Sequence, residues 1–363
     1  MLCVILKADS GLMKKRSGKP SSTTLLVLAF FAIYVIWGST YLLNKIAVSE
    51  LAPFMLAGIR FSMAGLLIFT LCKILGISLK IDKRELRNTV IAGFLFLSFG
   101  NGVVVWALKY VDSGFAALEI AAQPLVVLLM MRVFEGKPIK TMSVFGVILG
   151  IIGIYLLVSQ KQVVSRENSV IGIIMIFACM MSWAYGSLFV ARVKLPSNYF
   201  VNTGYQMFTA GVVLLLVSPL LGETWKSPVA WSFPVWLSMT LLVLFGSIVA
   251  FTAFNYLLKR VSPEKVATST YVNPIVALFL GWYFLDETVT LQSIVAALVL
   301  LTGVYFINTS KKRVLFSRFR SKTDEPVNRG PAAGQVNASI RPEGHAGSRD
   351  FNEVGNSKTS SSK

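Results

Sequence analysis

The sequence predicts an all-α membrane protein, with ten transmembrane helices arranged as two inverted five-helix repeats. Three observations carry that prediction. Hydrophobic residues make up 55% of the 363 positions and charged residues 14%, outside the balance of soluble domains. The apolar residues gather into ten runs, several near the ~20 residues that cross a bilayer as helix. The order of features in the first half recurs in the second.

The runs are 24–44, 53–72, 90–108, 113–131, 142–158, 170–191, 199–221, 235–258, 266–285 and 291–307. Backbone amides in hydrocarbon have no water to bond, so each run is expected to be helical. The first is too long for the apolar core of a cleaved leader, and nine more follow. The chain divides into a cytoplasmic stretch (1–23), a first repeat (24–159), a second repeat (168–309) and a basic, disordered cytoplasmic tail (310–363).

Net charge is +18, which in a soluble chain would point to nucleic acid. Here the basic residues sit between spans and in the tail, so no nucleic-acid partner is expected. Lys14, Lys15, Arg16, Lys80, Lys83, Arg84, Arg132, Lys137, Lys140, Arg192, Lys194, Lys259 and Arg260 fall on one side, with the basic run that opens the tail. The other side holds Lys45, Lys109, Lys161, Arg166 and Lys226. Basic loops stay inside, so both termini are cytoplasmic in the cell membrane and the number of spans is even.

Cys3, Cys72 and Cys179 are scattered, and the one histidine, His345, lies in the tail. Neither a disulfide framework nor a metal site follows from them. No cofactor is expected, no phosphate-binding loop is present, and the spans hold no paired carboxylates. These absences argue against an enzyme.

A shift of 150 residues places Gln123-Pro124 on Asn273-Pro274, Phe134 on Phe284 and Gly153-Ile154-Tyr155 on Gly303-Val304-Tyr305. Nearer the N-terminus a shift of 146 places Trp37-Gly38-Ser39 on Trp183-Ala184-Tyr185 and Arg60 on Gln206. Five helices is an odd number, so the second repeat must run opposite to the first. Such inverted halves can exchange inward-open and outward-open shapes around one central site.

The residues that recur also resemble a known family: Trp37-Gly38-Ser39-Thr40-Tyr41, Arg60, Pro124, Asn273-Pro274 and Phe284-Leu285-Asp286-Glu287. The chain is similar to EamA-type members of the drug/metabolite transporter superfamily over about residues 24–308. The resemblance implies a secondary transporter that exports amino acids, other metabolites or toxic amphipathic compounds. An importer, an exchanger or a non-transporting receptor or scaffold is the alternative. Lys137 departs from the pattern at the position matching Glu287, with Glu135 two residues earlier.

Substrate-binding candidates are the polar and aromatic residues inside the spans. Arg60 and Glu119 are the two intramembrane charges and are placed in one layer, roughly 10 Å deep at 1.5 Å per residue. They form either a polar wall for an anionic and a protonated group or a structural ion pair. Trp37, Ser39, Thr40 and Tyr41 offer an aromatic face and hydroxyls, and Asn101 shares their depth. Trp183, Tyr185 and Gln206 are their counterparts in the second repeat. Gln123 and Asn273 precede mid-helix prolines, where a kink frees a carbonyl. Gly146-x-x-x-Gly150 is expected to pack helices within the bundle. The expected partners are a small-molecule solute and the lipid bilayer, with proton or ion coupling open and the protein a monomer or homodimer. Asp286 and Glu287 are expected as solvated charges before the last span.

Overall fold

The computed structural model describes residues 22–136, 141–160, 167–261, 266 and 269–309. The basic N-terminal stretch, the tail, and Lys137, Lys140, Lys161 and Arg166 lie outside the described residues. Every regular element among those described is helical. The first half comprises α1 (Ser22–Phe31), α2 (Trp37–Val48), α3 (Pro53–Ile74), α4 (Lys83–Gly93), α5 (Gly102–Ala107), α6 (Ser113–Ile120), α7 (Gln123–Glu135) and α8 (Thr141–Val158). The second comprises α9 (Ser169–Val190), α10 (Tyr199–Leu220), α11 (Phe233–Leu241), α12 (Ala250–Arg260), α13 (Ser269–Leu285) and α14 (Leu291–Thr309). Three π-helical segments splice α1 to α2 (Ala32–Ile36), α4 toward α5 (Phe94–Phe99) and α11 to α12 (Leu242–Val249).

Seven helical stretches, two of them interrupted by short turns, have the length and composition to cross a membrane: Thr23–Val48, Pro53–Ile74, Lys83–Ala107, Ser113–Phe134, Ser169–Val190, Tyr199–Leu220 and Phe233–Leu258. Met142–Val158, Val272–Leu285 and Leu291–Phe306 are apolar and shorter, so helix length does not by itself return the ten spans read from sequence. The third helix starts at Lys83 rather than near residue 90, because Asp82 and Glu85 form a capping box there that satisfies its first amides. Pro124 does not kink a continuous helix. The chain breaks after Ile120 and restarts at Gln123, with Pro124 in the first turn, where its missing N–H is harmless. Pro274 does lie inside α13.

Two antiparallel helix pairs build the scaffold, and glycines set both. A methyl at Gly65 would lie 2.7 Å from the backbone nitrogen of Phe208, one at Gly58 2.8 Å from the Leu215 side chain, and one at Gly204 2.7 Å from the Phe69 ring. Gly211 presses on Ser62. Positions climb along α3 as they descend along α10, so the pair is antiparallel. The contacts are also reciprocal, because Gly58 and Gly204, and Gly65 and Gly211, occupy matching places in the two repeats. The α8–α14 pair behaves likewise: a methyl at Gly153 would lie 2.8 Å from the Leu300 backbone nitrogen, and one at Gly303 2.7 Å from Gly146 O and 2.8 Å from Gly150 N. Small residues let backbones approach where burial in lipid supplies no net drive. The Gly146-x-x-x-Gly150 motif therefore packs within the chain.

Helix stops are duplicated too. After α3, Ile77 N donates to Cys72 O at 2.8 Å around Gly76 at φ 68°; after α10, Glu223 N donates to Ser218 O at 3.2 Å around Gly222 at φ 73°. These are Schellman closures at corresponding positions, where the left-handed residue favours glycine.

On one face of the bundle three carboxylates cap helix starts in the other repeat. Glu223 accepts from Phe54 N at 3.0 Å and Met55 N at 2.9 Å at the head of α3. Glu287 accepts from Ser113 N at 2.8 Å, Gly114 N at 3.1 Å and Ser113 Oγ at 2.9 Å at the head of α6. Glu50 accepts from the Lys226 ammonium at 2.6 Å and from Ser232, which precedes α11. Each anion sits where the helix dipole favours it. Glu287 is thus tied down by α6, correcting its reading as a merely solvated charge.

On the opposite face Lys194 meets Asp82 and Glu85, each at 3.0 Å. The Glu85 amide and then Lys194 hold the Asp82 carboxyl below its ordinary range, and Asp82 and then Glu85 raise the Lys194 ammonium. A depressed carboxyl stabilises the fold above its unfolded value and ceases to as pH falls through its folded value. A raised ammonium stabilises below its unfolded value and ceases to as pH rises past its folded one. The joint is therefore complete at neutral pH. Amide exchange over 83–93, corrected for intrinsic rates, is expected to speed up only in strong acid and strong alkali, and modestly, since both groups are solvent-screened. Lys194→Met should remove the alkaline limb.

Candidate functional site

An aromatic cluster occupies the centre of the bundle. Trp37 meets Trp183 edge-on at 6.2 Å and Phe254 at 5.1 Å, while Phe96 lies 4.7 Å from Trp183 and 6.1 Å from Phe254. Four separate spans contribute one ring each. Gly100 makes room for the Trp183 indole, which a methyl there would approach to 2.5 Å. Trp37 also donates from Nε1 to Gly246 O at 3.3 Å.

Arg60 is 3% exposed. Its Nε donates to Ser247 Oγ at 2.9 Å and its Nη1 to Asn44 Oδ1 at 3.2 Å, with the Phe61 ring 4.9 Å from the guanidinium carbon. No carboxylate lies within ion-pair distance of it among the described residues. Gly246 lets the guanidinium close against its backbone: a methyl there would stand 3.2 Å from Nη2. A guanidinium buried without a counter-charge is costly, and its unused donors suit an incoming carboxylate.

Glu119 is 2% exposed, and its Oε2 has no hydrogen-bond partner. The structural ion pair with Arg60 is not formed. Asn101, at the turn that follows the second π segment, leaves its buried Oδ1 unpartnered too.

Deeper along α10, Gln206 joins a second polar node. Asn255 Nδ2 donates to Thr203 Oγ1 at 2.9 Å and Gln206 Oε1 at 3.4 Å, and Asn202 Nδ2 donates to Asn255 Oδ1 at 3.3 Å.

The remaining candidates divide. Ser39 and Thr40 turn their hydroxyls back to Ile36 O and Trp37 O, each at 2.7 Å, and Tyr41 packs against the core. Gln123 donates to Met180 O at 3.0 Å. The Asn273 amide, oriented with its nitrogen toward carbonyls, donates to Tyr34 O at 2.7 Å and Ile33 O at 2.9 Å. Those carbonyls belong to the first π segment, where the widened turn leaves acceptors open. Ser182 serves the second π segment in the same way at Leu95 O (2.7 Å), and Trp37 the third at Gly246 O. Asn273 and Gln123 thus hold backbone. Tyr185 is 46% exposed and packs edge-on against Phe134, so it does not join the cluster formed by Trp183. A small cleft near Glu287, lined by Asp112, Gly114, Gln160 and Ser293, includes neither Arg60 nor Glu119.

Phe96, Phe254, Asn44, Ser247, Asn202 and Asn255 were not singled out from sequence. Polar side chains inside apolar runs were the available signal for Asn44, Ser247, Asn202 and Asn255.

The profile of the EamA-like transporter family matches residues 24–159 and again 170–309. The chain belongs to the EamA-like transporter family. Within the wider drug/metabolite transporter superfamily, it is 37% identical over 281 residues to the uncharacterized inner membrane transporter YedA of Escherichia coli strain K12, covering 76% of this chain and 89% of that protein. A probable amino-acid metabolite efflux pump of Salmonella typhimurium is 23% identical over 283 residues, covering 75% and 91%. A solved crystal structure superposes with a TM-score of 0.57 at 19% identity, covering 82% of this chain and 99% of that one; it carries the fold alone. This EamA-like chain is therefore a membrane transporter whose partners are a small solute and the bilayer. Its family and relatives are transporters, not enzymes.

Proposed function

We propose that the chain is a secondary carrier that exports small metabolites, amino acids or drug-like amphipathic compounds among them, by alternating access. The three shorter helices α8, α13 and α14, of 18, 17 and 19 residues, are long enough to complete ten spans. The reciprocal α3–α10 and α8–α14 seams support two inverted repeats at 24–159 and 168–309, with both termini cytoplasmic in the cell membrane. The tail from 310 is then cytoplasmic.

One observation carries the reading: a buried guanidinium and a buried carboxyl, neither paired with an opposite charge among the described residues, on two spans packed against those that carry the aromatic cluster. Intramembrane charge without a structural partner marks a solute or ion path. Arg60 takes the carboxylate of the solute, the rings of Trp37 and Trp183 hold its apolar body, and Glu119 takes its ammonium or a coupling proton. The efflux activity in the name of the Salmonella relative fits this set.

Glu119→Gln tests the acid's role. Efflux of amino acids from cells expressing this variant at the native level should fall at least about tenfold and lose its dependence on the pH gradient. Unchanged efflux with unchanged pH dependence removes Glu119 from the mechanism, while accumulation in place of efflux reverses the direction.

A further inference from the structure

The buried node on α10 has a vacancy of defined chemistry. Asn202 and Gln206 stand one turn apart on the same face, each 1% exposed, with Asn255 at 6%. Asn255 spends its oxygen on Asn202 and its amide hydrogens on Thr203 and Gln206. Asn202 Oδ1 and Gln206 Nε2 are left without partners. Turning all three amides over together preserves the bonds among them and exchanges the roles of Asn202 and Gln206. The vacancy then still presents one acceptor and one donor. A buried amide atom without a partner costs on the order of 1–3 kcal/mol, so the node is built for a third party.

Its place in the bundle says what that party is. Gln206 corresponds in the second repeat to Arg60 in the first, and the two nodes hang on one continuous helix: Ser247 bonds Arg60, and Asn255 bonds Gln206. Phe254, next to Asn255, closes the aromatic cluster between them. Along this helix lie, in order, a cationic node, the aromatic cluster and a neutral polar node near the start of α10.

We propose that Asn202, Gln206 and Asn255 form a second solute subsite that takes an uncharged group able both to donate and to accept a hydrogen bond, a hydroxyl or a carboxamide. The proposal rests on the carrier reading and deepens it. Discrimination follows, because a site with buried polar groups rejects an isostere that leaves them unpaired. The carrier distinguishes solutes alike in size by whether they bear such a group.

Two measurements test this. In a chain with Cys3, Cys72 and Cys179 replaced by alanine, Asn202→Cys should react with a membrane-impermeant methanethiosulfonate from the side that carries Lys194 and not from the other. No reaction from either side overturns the subsite and makes the node a sealed structural contact holding a water. In proteoliposomes, L-threonine should move at least about tenfold faster than its isostere L-valine, and Asn202→Leu and Gln206→Leu should bring that ratio near one. Equal rates in the native chain, or a ratio that survives both substitutions, overturn the assigned ligand class. If the cysteine reacts while no amino acid, purine derivative or cationic dye crosses, the accessible site stands and the carrier reading fails.

Discussion

An Arg60→Leu chain is expected to fold at least as well as the native protein and to carry carboxylate solutes at less than about one-hundredth of the native rate. Two effects of opposite sign meet at this residue. Its bonds to Ser247 and Asn44 contribute about 1.5–3 kcal/mol each, as hydrogen bonds to a charged group do. Against them stands the desolvation of a guanidinium that is 3% exposed with no carboxylate beside it, several kcal/mol for an uncompensated ion. Leucine removes that larger cost, and the melting temperature in detergent should rise by about 2 °C or more. Transport moves the other way, because loss of charge-assisted bonds to the solute is worth about tenfold per 1.4 kcal/mol. A variant that is less stable and transports normally would show Arg60 to be structural.

Gly65→Val should be the most damaging substitution in the scaffold. The new carbon would lie 2.7 Å from Phe208 N and 2.8 Å from its Cα, so backbone must move. Separating α3 from α10 forfeits the contact along its length, and overpacking of this kind costs about 3 kcal/mol or more. Gly303→Val, facing Gly146 O and Gly150 N at 2.7 and 2.8 Å, should do the same at the second seam. Gly150→Ala should be mild, since its new methyl meets only the end of the Leu125 side chain at 3.2 Å. Thermal stability in detergent should rank the three in that order. Equal tolerance would mean the seams do not hold the bundle together.

The sequence announced its spans because lipid imposes length and apolarity on each helix. It announced the repeat because Arg60 and Gln206, and Gly153 and Gly303, keep their spacing. The glycines of the α3–α10 seam obey the same offset, but a single glycine in an apolar run looks ordinary until its partner is known. The burial of Arg60 and Glu119 follows from their place inside apolar runs, but their separate environments do not, because side-chain pairing depends on azimuth as well as on position along the helix. Tyr185 fails for the same reason: alignment with Ser39 fixes its level and not the face it occupies. The π segments have no composition of their own. They exist because Asn273, Ser182 and Trp37, from other helices, accommodate the carbonyls they loosen. The three capping carboxylates lie far from their helices in the chain, beyond any local pattern.

The joint between α3 and α10 resembles a handshake more than a lock and key. Each half of the polypeptide brings its own notch and its own knuckle, Gly65 with Phe69 on one side and Gly204 with Phe208 on the other. The notches repeat from half to half, at Gly58 and Gly204 and at Gly65 and Gly211, whereas the side chains that fill them do not: Leu215 and Phe69 fill the first pair, Phe208 and Ser62 the second.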